Sequence, residues 1–394
     1  MITIKNGKLV LPNEVKSGLK LVLNGDKISE IAVDDGFYDG DVINACGNYI
    51  SPGFIDIHVH GGGEGDFMDC SSAAIAGILK THTQHGTTGI YPTTVACSTD
   101  ELFRAIDTID AFASKNEDGA EILGIHLEGP YISVAQCGAL DPRYIKTTAA
   151  DKEEYCSIID RSALIKRVTF APELKGGLAF AQELSKRRMV ASIGHSDAEY
   201  DSVLSAFQKG ATHVTHLYSG MQVVHRVNGF RKLGVVESAF LIDDMTVEVI
   251  ADGCHLPYEL LKLIYKIKGP DKIALITDAM RATGRTKGES VIGSTENGQK
   301  VYLRDGVAYM PGFQAFAGSI ATCDRLVRNM YRHVGVELFN AVRMASLTPA
   351  RIMGCECRKG SLTRGKDGDV VIFDEDVDIK CVVARGRVCL DSLS

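Results

Sequence analysis

The stretch FIDIHVHGGG, residues 54–63, is a short apolar run that ends in two histidines and three glycines. Seven more runs of this kind follow before residue 280, and each has a polar residue or a glycine at its end or next to it. The eight runs lie at residues 54–60, 89–94, 122–129, 167–173, 190–196, 213–218, 247–253 and 273–279. Short apolar runs of this length are typical of strands that are buried on both faces.

Amphipathic stretches lie between several of these runs. The clearest are residues 99–114, 197–210 and 257–268, whose apolar residues recur at helical spacing. Asp197 and Pro257 suit the starts of two of these helices. Strands that alternate with helices imply a parallel sheet covered by helices on both sides. Eight such units predict an α/β fold, a (β/α)8 barrel of the TIM type. The alternative is an open doubly wound sheet, but no GxGxxG loop follows any of the strands.

The two chain ends differ from the middle of the chain. Residues 1–50 and 357–394 contain short strand-like runs joined by Gly-containing turns, such as the Asn-Gly pair at residues 6–7. We expect both ends to pair into one small, discontinuous β-sandwich domain beside a barrel domain at residues 51–356. Residues 288–318 interrupt the barrel pattern and predict an inserted hairpin.

The composition is that of an ordinary globular protein, with 45% hydrophobic and 24% charged residues among 394. The net charge of −7 disfavours a nucleic-acid partner or an anionic membrane surface. No apolar run approaches the roughly 18 residues that span a bilayer, and the start of the chain shows no signal-peptide pattern. The eleven cysteines include no CxxC pair. We therefore expect a cytoplasmic protein with reduced thiols.

Metal-ligating side chains stand at the ends of most of these runs. In a (β/α)8 barrel, the carboxyl ends of the strands carry the active site. Because His58 and His60 are two residues apart in a strand, their side chains face the same way, which in a barrel is inward. The other candidates at or just after strand ends are Glu128, His195, His216, Asp252, His255 and Asp278. Such a mixed set of imidazoles and carboxylates predicts a centre for zinc or iron(II).

Six motifs, in this order, resemble those of a known family. SPGFIDIHVHG at residues 51–61 resembles the first-strand motif of the amidohydrolase superfamily. Five more resemble motifs of the N-acetylglucosamine-6-phosphate deacetylases: GIHLEGPYIS (124–133), GHSDA (194–198), THLYSGM (215–221), ADGCH (251–255) and LITDA (275–279). The resemblance extends from residue 1 to about residue 390 and includes the split β domain. It implies a metal-dependent amide hydrolase that removes acetate from N-acetylglucosamine 6-phosphate.

The resemblance also implies a set of metal ligands. The residues that match the ligands of one ion are Glu128, His195 and His216. In family members that keep the HxH motif, its two histidines and the Asp of the TDA motif hold a second ion, which the Glu bridges. Those residues are His58, His60 and Asp278 here, and Asp278 also matches the catalytic acid and base. We therefore expect one or two divalent ions, with zinc ahead of iron.

Further positions match substrate contacts of the family. His255 matches a contact at the acetyl carbonyl. Arg226 matches a phosphate-binding arginine, which in this family comes from the neighbouring subunit of a homodimer. The remaining matching positions are Ala139, Leu140, Ser219, Gly220, Asp252, Phe316, Ala317 and Gly318. The expected partners are a phosphorylated amino sugar and a second copy of the chain.

Two segments depart from the family pattern. THLYSGM replaces the usual THLxNAM, so that Ser219 and Gly220 stand in place of an Asn-Ala pair, and RVNG at residues 226–229 replaces REPG. These departures leave a related substrate open, such as N-acetylgalactosamine 6-phosphate. Two other interpretations compete. A dihydroorotase-like or deaminase-like hydrolase is disfavoured because the fourth run does not end in a lysine, and a catalytically silent scaffold is disfavoured because all six candidate ligands are present.

Overall fold

A computed structural model describes residues 1–116, 119–313 and 315–393 of the chain. Its centre is a ring of eight parallel strands, one for each apolar run. The strands are Phe54–Val59, Thr87–Thr94, Ile125–Glu128, Ile165–Phe170, Val190–Ile193, His213–Val214, Thr246–Val249 and Ile273–Leu275. Each strand pairs with the next, and a parallel bridge between Val59 and Ala279 closes the ring. The predicted (β/α)8 barrel is confirmed.

Helices cover the outside of the barrel. They are Ser72–Gln84, Thr99–Ala113, Lys152–Ile159, Gly177–Lys186, Tyr200–Gln208, Val235–Leu241, Tyr258–Lys268, Cys323–Arg328, Leu338–Ala345 and Leu347–Ile352. Shorter helical turns are Phe67–Asp69, Val134–Gln136, Pro142–Tyr144 and Asn329–Val334. Within the described part of the chain, no helix has the length and apolar character needed to cross a membrane.

All three predicted helices are present, but one begins later than expected. The first and third match the prediction closely, and Pro257 directly precedes the third. The second begins at Tyr200, with Glu199 before it. The prediction that Asp197 starts this helix is wrong, because side chains of another loop bind the Asp197 carboxylate.

The layer between strands and helices forms the main hydrophobic core. Phe54 and Phe170 from the strands and Phe180 and Leu184 from a helix are fully buried there. The rings of Phe170 and Phe180 meet edge to face, with centroids 5.5 Å apart. Burial of each such side chain stabilises the fold by roughly 1.5–3 kcal/mol. This packing holds the strand ends, and hence the candidate ligands, in place.

Both chain ends contribute to a separate sandwich of two sheets. The first sheet contains Ile2–Lys5, Leu19–Asn24, Lys27–Val33 and Asp41–Asn44. The second contains Lys8–Val10, Val15–Lys16, Tyr49–Pro52, Val370–Phe373, Ile379–Ala384 and Arg387–Asp391. Their shared core includes the buried residues Ile4, Leu21, Ile50, Ile372 and Val383. The β-sandwich predicted from the two ends is confirmed.

A buried ion network ties this sandwich to the barrel. Lys359 is 2% exposed. Its ammonium group lies 2.7 Å from Glu121, which belongs to a short strand beside the barrel. The same group lies 2.9 Å from Asp367 and 2.6 Å from Asp369, which lead into the sandwich. Arg358 adds ion pairs with Glu121 and Asp367. Three carboxylates from the two parts of the molecule thus share one buried cation.

The inserted segment forms a small antiparallel sheet of its own. Its strands are Gly288–Ile292, Gln299–Arg304 and Val307–Tyr309, so the predicted hairpin is confirmed and has a third strand. The side-chain amide of Gln299 donates to the carbonyl of Ala139. Ser294 Oγ donates to Glu101 Oε1 at 2.6 Å. These bonds fasten the inserted sheet to loops and a helix of the barrel.

Candidate active site

Six buried side chains meet at the carboxyl end of the barrel. They come from the ends of five strands or from the one to three residues beyond them: His58, His60, Glu128, His195, His216 and Asp278. Each of these residues is 7% exposed or less. All the predicted metal ligands are therefore brought together in one place.

Glu128 is the centre of the first group of ligands. Its Oε1 lies 3.1 Å from His195 Nε2 and 3.0 Å from His216 Nε2. The two imidazole nitrogens are 3.2 Å apart. Tetrahedral ligands placed 2.0–2.1 Å from a zinc ion are separated by roughly 3.3 Å. The three atoms therefore have the mutual spacing of ligands to a single ion.

His58, His60 and Asp278 form the second group. Asp278 Oδ1 lies 3.4 Å from His58 Nε2 and 3.2 Å from His60 Nε2. Glu128 also reaches this group, because its Oε2 lies 3.2 Å from His60 Nε2. The ligand atoms of His58, Glu128 and His216 also lie within 4.8 Å of one another. Glu128 and His58 are therefore shared between the two groups.

Three of the six residues have left-handed backbone conformations. The φ angles are +48° at His195, +24° at His216 and +49° at Asp278. Such a conformation costs on the order of 1–3 kcal/mol in a residue other than glycine. Each of the three follows the end of its strand by two or three residues. Strain of this kind is concentrated at functional sites, and here it occurs at three candidate ligands.

The cluster stabilises negative charge on its carboxylates. Burial alone would raise the pKa of Glu128, but the charge of His58 and the hydrogen bonds from His195 and His216 hold that pKa well below its usual value. The pKa of Asp278 is also lowered, because His58 and His60 outweigh the effect of burial. Burial would lower the pKa of His58, but the neighbouring carboxylates raise it to about 9. The site therefore favours a positive charge next to its ionised carboxylates.

The donor atoms fit a divalent metal ion. His58 Nε2 is buried and makes no hydrogen bond to any described residue. It lies 3.5 Å from Glu128 Oε1 and 3.4 Å from Asp278 Oδ1. A buried polar atom without a hydrogen bond needs another partner. Imidazole nitrogens and carboxylate oxygens are ligands that zinc and iron(II) both accept.

A loop fixes the orientation of His195. Its Nδ1 donates to the carbonyl of Gln136 at 2.7 Å, which turns Nε2 towards Glu128. Asp197 holds this loop, because its carboxylate accepts from Ser133 Oγ at 2.5 Å and from Gln136 Nε2 at 2.6 Å. Asp197 therefore supports the site instead of starting a helix.

A cleft of about 200 Å³ opens above the cluster. Seven predicted substrate residues line it: Ala139, Leu140, Ser219, Gly220, His255, Phe316 and Gly318. Ile292 of the inserted sheet also lines the cleft, and the sequence analysis missed it because an apolar residue in a hairpin gives no functional signal. Ala317 is fully buried against the inserted sheet and does not line the cleft. The inserted sheet and the barrel loops thus form the walls.

Asp252 lies behind His255 and is 2% exposed. Its Oδ2 accepts from His255 Nδ1 at 2.8 Å, and its Oδ1 accepts from the backbone N–H of His255 at 2.9 Å. Burial would raise the pKa of Asp252, but the hydrogen bond from His255 holds it below its usual value. The ring of His255 packs on that of Phe316, with centroids 4.8 Å apart. Asp252 therefore positions His255 and does not line the cleft itself.

Arg226 lies outside this cleft. It is exposed on a hairpin made of His225–Val227 and Phe230–Lys232. Arg231 is its direct partner across the hairpin. Phe230, at the same tip, is 75% exposed. Among the described residues that line the cleft there is no lysine or arginine.

Two fully buried charged residues below the cluster were missed by the sequence analysis. Arg167 and Glu248 are both 0% exposed and form an ion pair inside the barrel. Burial would raise the pKa of Glu248, but the charge of Arg167 holds it well below its usual value. A signal was present, because each is a charged residue within an otherwise apolar run.

The profile of the amidohydrolase family matches residues 49–389. The chain belongs to the amidohydrolase family. Among curated relatives of this amidohydrolase, the N-acetylglucosamine-6-phosphate deacetylase of Lysinibacillus sphaericus is 34% identical over 98% of this chain and 97% of its own length. The enzyme of the same name from Bacillus subtilis (strain 168) is 32% identical over 99% of this chain and 98% of its own length.

Solved structures that are similar to this amidohydrolase include deacetylases of the same name. N-acetylglucosamine-6-phosphate deacetylase from Pasteurella multocida is 28% identical, with a TM-score of 0.90 over 98% of this chain and 99% of that chain. A mutant of the deacetylase from Mycobacterium smegmatis, in complex with N-acetyl-D-glucosamine-6-phosphate, is 29% identical. Its TM-score is 0.89 over 99% of this chain and 98% of that chain.

Proposed function

We propose that this amidohydrolase removes the acetyl group from N-acetylglucosamine 6-phosphate, giving glucosamine 6-phosphate and acetate. The observation that carries the proposal is the buried cluster around Glu128 at the floor of the cleft. It lies in a chain that is 34% identical, over 98% of its length, to a deacetylase of this substrate.

The ligands of the proposed metal are the six residues of the cluster. Glu128, His195 and His216 would hold the first ion, and His58, His60 and Asp278 would offer a second position. When bound, the metal lowers the pKa of a water ligand towards about 7 and polarises the amide carbonyl. We propose zinc, with iron(II) as the alternative, because both accept this mixture of imidazole and carboxylate ligands.

Asp278 is the proposed proton carrier. Its lowered pKa leaves the carboxylate ionised at neutral pH, so it is ready to accept a proton from the attacking water. It then delivers that proton to the amide nitrogen, so the C–N bond breaks with a neutral amine as leaving group. Asp278 lines the cleft in which the substrate would bind.

His255 is the proposed donor to the acetyl oxygen. The carboxylate of Asp252 accepts a hydrogen bond from Nδ1 of His255. The Nε2 edge of the ring therefore remains available to the cleft, where the oxygen that becomes negative during attack would need a hydrogen-bond donor.

The phosphate group is assigned to Arg226 of a second copy of the chain. The described cleft residues include no lysine or arginine, whereas Arg226 stands on an exposed hairpin that also presents Phe230. A planar guanidinium suits bidentate binding of phosphate. We therefore propose a homodimer in which each hairpin completes the neighbouring cleft.

We also place the enzyme in a reducing compartment such as the cytoplasm. All eleven cysteines are free, and Cys323 and Cys381 are buried. Free thiols in this number are typical of a reducing environment. Thiol titration of the unfolded protein, prepared without reductant, should count eleven, and a smaller count would argue against this assignment.

The test is acetate release from N-acetylglucosamine 6-phosphate by purified protein, before and after treatment with a chelator. The unphosphorylated sugar and N-acetylgalactosamine 6-phosphate are the comparison substrates. We expect turnover that needs the phosphate and stops on chelation. Faster turnover of the galactosamine epimer would keep the chemistry and change the substrate. Metal-loaded protein without activity on any of the three would refute the proposed function.

A further inference from the structure

A polar layer inside the barrel lies directly beneath the six ligands and takes no part in the reaction described above. Its centre is the buried ion pair of Arg167, on the fourth strand, and Glu248, on the seventh. Charged pairs enclosed in a protein gain little stability over well-packed apolar side chains. A pair retained at this depth therefore calls for another role.

Glu248 contacts two of the ligands. One carboxylate oxygen, Oε1, pairs with Arg167. The other, Oε2, lies 3.3 Å from His58 Nδ1 and accepts the backbone N–H of His216 at 3.1 Å. His58 and His216 come from different strands, and their Nε2 atoms approach the same oxygen of Glu128, Oε1, at 3.5 and 3.0 Å. A single oxygen atom thus contacts a ligand from each metal position.

The contact with Glu248 fixes which nitrogen of His58 is free. A carboxylate can only accept, so His58 Nδ1 carries the proton and Nε2 offers its lone pair. Nε2 is the atom that faces Glu128 and Asp278. His58 takes part in both groups of ligands, so its orientation affects both positions.

Arg167 keeps the Glu248 carboxylate in place. Its Nη1 donates to Glu248 and also, at 3.1 Å, to the carbonyl of Ile57, the residue before His58. Its Nη2 donates to Thr215 Oγ1 at 3.1 Å, directly before His216. The arginine therefore binds the backbone beside one ligand and the side chain beside the other.

We propose that Glu248, held by Arg167, is a positioning residue for the metal centre that orients His58 and His216 together. This inference rests on the proposed function, because it takes the cluster to hold metal. The inference predicts a change in metal affinity, and this change does not depend on the substrate. Glu248 itself touches neither the substrate nor the metal.

The first variant is Glu248→Gln. With its amide nitrogen in place of Oε2, the side chain directs hydrogens at His58 Nδ1–H and at the N–H of His216. With the amide rotated, it directs hydrogens at Arg167. We expect the affinity for Zn²⁺, measured on the full-length protein by competition with a chromophoric chelator, to fall by about 10–100-fold. The absorption spectrum of the Co²⁺-loaded protein should change as well.

The double variant R167M/E248L separates orientation from stability. It removes both buried charges together, so we expect the Tm of the metal-free protein to recover relative to E248Q. The Zn²⁺ affinity should stay about 10-fold or more below that of the wild type, because His58 Nδ1 has lost its acceptor. A purely structural role for Glu248 predicts instead that affinity returns along with Tm.

The matched control is Asp324→Asn. Asp324 is also a buried carboxylate paired with a histidine and an arginine, His85 at 3.1 Å and Arg328 at 3.7 Å, but it touches none of the six ligands. We expect a lower Tm and unchanged Zn²⁺ affinity. Wild-type affinity in both Glu248 variants would overturn this inference alone. Failure of the wild type to bind Zn²⁺ would overturn the metal proposal and this inference with it.

Discussion

Replacement of Lys359 by Met removes the buried cation that three carboxylates share. The loss is greatest for Asp369, whose Oδ2 is paired with Lys359 while its Oδ1 accepts the backbone N–H of Arg385 at 2.8 Å. Glu121 and Asp367 keep their ion pairs with Arg358. A buried ion pair that loses one partner typically costs about 3–5 kcal/mol.

This free energy converts into a measurable shift of Tm. For 394 residues, an unfolding entropy of about 2.1 cal/mol/K per residue amounts to roughly 0.8 kcal/mol/K. The expected fall in Tm for K359M is therefore about 4–6 °C at neutral pH, measured by circular dichroism. Because Met is close to Lys in size and shape, altered packing contributes little to this fall in Tm.

The fall in Tm should depend on pH with a defined sign. Burial already raises the pKa of Asp369, and the charge of Lys359 opposes that effect. Loss of the charge raises the pKa of Asp369 further in the folded state. A carboxyl group whose folded pKa lies above its unfolded value destabilises the fold as pH rises through the folded pKa. The variant should therefore lose more stability relative to the wild type at pH 8 than at pH 5.

Lys272→Met is the control for this experiment. Lys272 pairs at 3.1 Å with Asp244, whose side chain is 84% exposed. A surface pair of this kind contributes about 0–1 kcal/mol, so its removal should shift Tm by about 1 °C or less. An unchanged Tm for K359M at pH 8, or an equal loss at both pH values, would refute the argument.

Three further changes test the active site. Asp278→Asn should keep the fold and the ion assigned to Glu128, His195 and His216, checked by circular dichroism and metal analysis, while kcat falls by about 10²–10⁴-fold; near-normal turnover would rule out the acid and base role. Arg226→Ala should raise KM for the phosphorylated sugar by roughly 10–100-fold, the equivalent of about 1.5–3 kcal/mol for a hydrogen bond to a charged group. When the Arg226→Ala and Asp278→Asn variants are mixed and allowed to exchange subunits, activity should recover, because one site of each mixed dimer has both residues. No recovery would argue against a shared site. Gln299→Ala frees the carbonyl of Ala139 in the cleft wall and should raise KM more than it lowers kcat, and the opposite split would contradict a role in substrate binding.

Much of the fold could be predicted because its signals are local. Each barrel strand is an apolar run bounded by polar residues, and the inward direction of His58 and His60 follows from the two-residue period of a strand. The start of a helix depends on more distant partners. Asp197 has the right chemistry for a helix start, yet Ser133 and Gln136 bind its carboxylate, so the helix begins three residues later.

The site could be predicted only in part. The candidate ligands follow from residue type and position at strand ends, but nothing in the sequence indicates the left-handed turns at His195, His216 and Asp278. Distant parts of the chain bind the backbone at two of these turns, because the N–H of Asp278 donates to the carbonyl of His58 at 2.9 Å and the carbonyl of His195 accepts from the N–H of Ser133 at 2.8 Å. Glu248 and Arg167 could have been found, because a charge within an apolar run requires a partner, but their pairing spans two non-adjacent strands.

The pairing of the two chain ends sets the order in which this protein can be completed during synthesis. The strand Tyr49–Pro52 lies between Lys8–Val10, which is made before it, and Val370–Phe373, which is made much later. The first fifty residues therefore leave the ribosome with an unpaired strand edge that must wait for more than 300 residues of further synthesis. Exposed edges of this kind favour association with other chains. The N-terminal segment is thus a part of the nascent chain that needs protection from association until the strand Val370–Phe373 has emerged.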